Sequence, residues 1–188
     1  AQYTYATITK YFVIFGSLIC LIVIAFADLF KEVIVPNDRY WDAMKVVPLI
    51  VLANFFLGIY TNLSVWYKLI DKTIIGAYIS VIGALVTLVL NILLIPKISY
   101  YGSAIATIAA YGTMMIMSYQ LGQKKYPIPY DFNKIFSYLG LTIVFSAISF
   151  YIPYVRENYF IKVALIAVFL YFIYTSEKET LQRIIKRK

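Results

Sequence analysis

At 188 residues, 62% hydrophobic and 14% charged, the chain departs from the makeup of a soluble globular domain. It has no His and one Cys, Cys20, which excludes a disulfide, a Cys/His metal site and His-based acid-base catalysis within the chain. No catalytic residue, metal or cofactor is therefore expected, and the formal charge of +8 reads as a topology signal, with no nucleic acid as partner.

Six apolar runs follow one another, each near the ~20 residues that cross a bilayer: Tyr11 to Ala27, Ala43 to Trp66, Thr73 to Ile95, Gly102 to Leu121, Phe132 to Ile152 and Tyr159 to Tyr174. The fold class predicted is an all-α integral membrane bundle of six transmembrane helices, with short connections that make neighbours antiparallel. The first run carries Cys20 as a small packing residue, with Asp28 and Glu32 just beyond it. No charged leader or cleavage site precedes this run, so no signal peptide is expected, and the start at Ala1 suggests part of a longer chain. The second holds Lys45 and Pro48 near its start and Asn54, Gly58, Thr61 and Asn62 further along. In the third, Gly76, Ser80, Gly83, Thr87 and Asn91 recur at helical spacing and share one face. The fourth repeats the pattern with Ser103, Ala106, Ala110 and Thr113, and the fifth with Thr142, Ser146 and Ser149. No such stripe marks the sixth, which is expected to face lipid.

These stripes admit two readings. Small residues let helices approach closely, and hydroxyls bond across the contact; Pro48, Gly76, Ser80, Gly83, Thr87, Pro96 and Gly102 are the packing or hinge candidates. Amides are costlier to hide in hydrocarbon, so Asn54, Asn62 and Asn91 could equally line a cavity, and Lys31, Lys45 and Arg39 could ring an outward vestibule that attracts an anionic headgroup. No carboxylate lies mid-span to carry a coupling proton.

Charge separates by connection. One side gathers Lys10, Lys68, Lys72, Lys124, Lys125, Lys134, Lys178, Arg183, Lys186, Arg187 and Lys188 against Asp71, Asp131, Glu177 and Glu179. The other has Lys31, Arg39, Lys45, Lys97, Arg156 and Lys162 against Asp28, Glu32, Asp38, Asp42 and Glu157. The basic side is expected in the cytoplasm, with both chain ends. The tail could also lie at the interface on anionic membrane lipids, through Leu181, Ile184 and Ile185.

From Val86 the chain reads VTLVLNILLIPKISYYGSAIATIAAYG. This run of Asn91, Leu94-Ile95-Pro96-Lys97, a turn, then Gly102-Ser103-Ala104 and Ala106-Thr107 resembles the polysaccharide flippases of the multidrug/oligosaccharidyl-lipid/polysaccharide exporter superfamily. Asn37 to Tyr60 and Lys72-Thr73 are similar too; the turn after Pro96 is longer than the family's usual Lys-Tyr-Gly. The resemblance implies the last six helices of a fourteen-helix MATE-like transporter of the bacterial inner membrane. Residues 1–126 would be four spans of its second lobe, 127–175 two further spans and 176–188 a basic cytoplasmic tail. Its cargo would be a lipid-linked oligosaccharide on undecaprenyl diphosphate, carried from the cytoplasmic to the periplasmic leaflet for surface polysaccharide such as O-antigen, with the remaining N-terminal helices as partner lobe. The alternatives are a multidrug exporter or peptidoglycan-precursor flippase of the same superfamily, or the membrane domain of an acyl- or glycosyltransferase.

Overall fold

The structure, a computed structural model, describes residues 2–35 and 37–185, with side chains except at 32–34, 38–40 and 179–185. Among the described residues it is helical, with no strand. In chain order come α1 (Gln2–Ala25), α2 (Ala27–Ile34), a 3₁₀ helix (Asp38–Val46), α3 (Val47–Leu63), α4 (Val65–Leu69), α5 (Ile74–Ile98), α6 (Tyr100–Lys125), α7 (Phe132–Tyr151), α8 (Pro153–Glu157) and α9 (Tyr159–Ile185).

Five stretches are long and apolar enough to cross a membrane: Gln2–Ala25, Trp41–Leu69, Ile74–Ile98, Phe132–Tyr151 and Tyr159–Lys178. α6, at 26 residues, has the length but not the apolarity. Gly, Ala, Ser and Thr occupy much of it, and such small side chains carry little hydrocarbon. Their smallness lets α6 sit between α3 and α5 as the most intimately packed helix, whereas α5 and α9 leave wide apolar faces open.

Contacts run in series: α5 on α6, α6 on α3, α3 on α1 and α1 on α7, with α9 laid against α1 and α7. Fully buried Trp66 of α4 ties α3 and α4 to α6 near one end of these helices, its Nε1 donating to the Ser118 carbonyl at 3.0 Å while Ser118 Oγ donates to the Leu63 carbonyl at 3.2 Å. Gly122 gives the indole room, since a Cβ there would meet its ring at 2.8 Å.

The turn between α5 and α6 differs from the sequence expectation. Pro96 does not end its span; α5 continues to Ile98, because a proline two residues from a helix end forfeits only one late hydrogen bond. Chain reversal falls on Ser99, at a left-handed φ of 51°. Gly102 lies inside α6, where a Cβ would press on the Leu94 and Ile95 backbone at 2.7 and 2.8 Å. Its role is close helix approach.

α9 also differs, in two ways. It runs unbroken through residue 176 to Ile185, and its face toward α1 and α7 is not uniformly apolar. Lys162, Phe169 and Glu177 are buried along one stripe at spacings of seven and eight, while Phe160, Val163, Leu170, Tyr171 and Tyr174 stay exposed.

Candidate functional site

Three groupings of polar side chains among the described residues bear on function. The first is mid-span. Asn54, at the middle of the Trp41–Leu69 stretch, and Thr61, two turns on, are both exposed on one face of α3 with Ile50. Each bonds its own helix: Asn54 Nδ2 donates to the Ile50 carbonyl at 2.8 Å and Thr61 Oγ1 to that of Leu57 at 2.9 Å. Asn62 does likewise to Gly58 at 3.0 Å, half-buried. Such bonds quiet part of each group, yet leave the Asn54 carbonyl oxygen and the Thr61 lone pairs seeking donors.

On α5 the predicted stripe divides. Gly76 lies under the Tyr67 ring and Gly83 under Met114, so both serve close packing, and Ser80 is exposed. Half-buried Thr87 donates to the Gly83 carbonyl at 3.0 Å, and Asn91 keeps a buried Oδ1 without a donor among the described residues. Pro48 is buried at the start of α3, where a proline costs no helical hydrogen bond. Lys45 is exposed and paired with Asp42 at 2.6 Å; the side chain of Arg39 lies outside the described residues. On α7, Thr142, Ser146 and Ser149 are all buried and α1 is the helix it packs on; Ser17, of α1, is buried as well, and the hydroxyls of Ser17, Ser146 and Ser149 find no partner among the described residues.

Second is a clasp that the sequence does not reveal, at the end carrying Lys10. Glu177 of α9, its side chain 4% exposed, accepts from Lys10 of α1 at 2.6 Å and from Lys134 of α7 at 2.8 Å, with the Tyr138 hydroxyl at 3.3 Å. Three helices meet on one carboxylate. Its partners lie 167 and 43 residues away, so no local spacing signals it.

The third cluster is at the opposite end. Arg156 of α8 grips Asp28 of α2 in a fork, Nε to Oδ2 at 2.7 Å and Nη2 to Oδ1 at 2.5 Å. Lys31 stands 3.8 Å from the same carboxylate and 4.1 Å over the Trp41 ring. The guanidinium holds the Asp28 carboxyl below the usual carboxylate range, while Asp28 raises Arg156 above its ordinary value. These two clusters keep the partition of charges seen in the sequence, Lys10, Lys134 and Glu177 at one end and Asp28, Lys31, Arg156 and Lys162 at the other.

The chain matches no protein-family model, no curated protein and no solved structure. A chain whose described residues are helical, with five stretches among them able to span a membrane, has the makeup of a multi-pass membrane protein, and that class follows from its helices alone.

Proposed function

We propose that the chain is the C-terminal portion of a carrier that moves a lipid-linked oligosaccharide, of the undecaprenyl-diphosphate kind, from the cytoplasmic to the periplasmic leaflet of a bacterial inner membrane. In this reading α6 is a sixth span, its modest apolarity compensated by burial between α3 and α5. Helices outside this chain complete a fourteen-helix transporter, and the Lys10 end with both termini is cytoplasmic.

The exposure of Asn54 and Thr61 at mid-membrane depth carries the proposal. An amide facing hydrocarbon is costly, whereas the outer face of α5 (Tyr78, Val81, Leu85, Leu88, Ile92) shows what lipid-facing surface looks like in this molecule. A polar patch on α3, unlike such a surface, fits a passage formed with a second lobe. The need for one is physical: sugars and diphosphate cannot cross oil unaided, while the polyprenyl tail can stay in it. The role is carriage, with bond chemistry left to other proteins.

Depletion of the protein in its source cell tests this. The expected result is lipid-linked oligosaccharide accumulating on the cytoplasmic leaflet and loss of surface polysaccharide; accumulation of peptidoglycan precursor in its place would move the reading to a precursor flippase, and no change in either would end it.

A further inference from the structure

Lys162, early in α9, is 1% exposed. Its Nζ lies 5.1 Å from the Tyr159 ring centroid and 6.0 Å from that of Phe26, and among the described residues no oxygen accepts a hydrogen bond from it. Asp28, the carboxylate that acts on it through space, has both oxygens occupied by the Arg156 fork. A buried ammonium with three unused donors is costly, and two ring faces at these distances offset only part of that.

Beside it is a cleft of about 480 Å³ lined by Asp28, Lys31, Tyr151, Arg156, Glu157 and Tyr159. Tyr159 joins the two, since its ring both lines the cleft and stands nearest to Lys162 Nζ. A second cleft of about 370 Å³ along α8 shares Glu157 and Tyr159. Lys31 and Arg156 balance Asp28 and Glu157 in the lining, so the buried ammonium of Lys162, behind Tyr159, is the charge left in excess among these described groups, and Arg156 keeps Nη1 outside its fork on Asp28. The depth is interfacial: α2 and α8 flank the apolar stretches, and Trp41, Tyr151, Tyr154 and Tyr159 are exposed aromatics of these segments.

We propose that this cleft binds a phosphate-class anion, with Arg156 and Lys31 as its donors and the unpaired charge of Lys162 acting on it from behind Tyr159. The site is separate from the α3 face and does not depend on what the protein carries. The remaining Nη1 of the guanidinium and the Lys31 ammonium, with a further unpaired ammonium charge close behind, suit an oxyanion, and a phosphodiester at this depth would come from a lipid headgroup; free phosphate is the other source.

The test uses the full chain purified in an uncharged detergent, with the thermal midpoint followed as phosphatidylglycerol, phosphatidylcholine or inorganic phosphate is added. Phosphatidylglycerol should raise the midpoint and phosphatidylcholine should not; a rise with inorganic phosphate as well identifies the phosphate group as sufficient, and a rise with lipid alone identifies the headgroup. Lys162→Met removes the buried charge while filling the same volume, so apparent affinity for phosphatidylglycerol should fall about tenfold, with midpoint in the absence of anion unchanged or higher. Lys31→Met should weaken binding less, and Lys97→Met, outside the cleft, should leave it intact. Equal stabilisation by phosphatidylcholine, or full response in both Lys162→Met and Lys31→Met, would overturn the proposal.

Discussion

Among single residues, a few contacts decide how closely the helices approach. Gly102 faces backbone, so an added methyl cannot be absorbed by a rotating side chain; Gly102→Val should cost about 1–3 kcal/mol or more by overpacking. Gly140 has nothing within 4 Å of a built Cβ, and Gly140→Ala should be neutral or slightly stabilising. Thermal midpoints of the two variants in detergent check both, and equal values would contradict the packing argument. Asp28 gives a pH dependence of definite sign. Its folded carboxyl titrates below its unfolded value, so its contribution is present above the unfolded pKa of about 3.9 and is lost as pH falls through the folded value. Wild type should exceed Asp28→Asn in thermal midpoint at pH 7, with the gap closing as pH drops below about 4; a constant gap would show that Arg156 does not depend on that charge.

For the elements, the sequence exposed what is periodic and concealed what is distant. Apolar runs located the helices because each signal is local, and a stripe such as Gly76, Gly83 needs only the helical repeat. Yet α1 begins at Gln2, well before the expected Tyr11, and α9 runs to Ile185, well past the expected Tyr174, since a run marks only the apolar part of a helix. Pro96 misplaced the end of α5, since a proline near a helix terminus is tolerated. The Glu177 clasp was illegible for a different reason: a Glu among the charged residues beyond an apolar run looks like part of a solvated tail until α9 is packed against α1 and α7. On α3 the amides were visible, while their exposure depends on which side α1 and α6 cover. The clasp makes its own prediction. Replacing Glu177 with Gln leaves Lys10 and Lys134 facing each other without a counter-charge, which costs more than losing a surface ion pair. Limited proteolysis after residue 158 should release α9 faster in Glu177→Gln than in wild type, and Lys134→Gln should have a smaller effect than Glu177→Gln because one lysine partner remains.

For the whole molecule, the account holds that α3 turns a polar face to water inside the membrane while α5 and α9 turn theirs to lipid. In transport, Asn54→Leu should reduce flux of lipid-linked oligosaccharide at matched expression, and Ser137→Leu, on the exposed face of α7, should not. Both side chains bond their own helix, so loss of that bond alone would affect them alike. The most direct test is water accessibility. With Cys20→Ser as background, Asn54→Cys, Thr61→Cys and Leu88→Cys are exposed to a membrane-impermeant thiol reagent in membranes of the full protein. Labelling of the positions at 54 and 61, with the one at 88 inert, is the result predicted; all three equally inert would show that α3 faces hydrocarbon and that there is no passage.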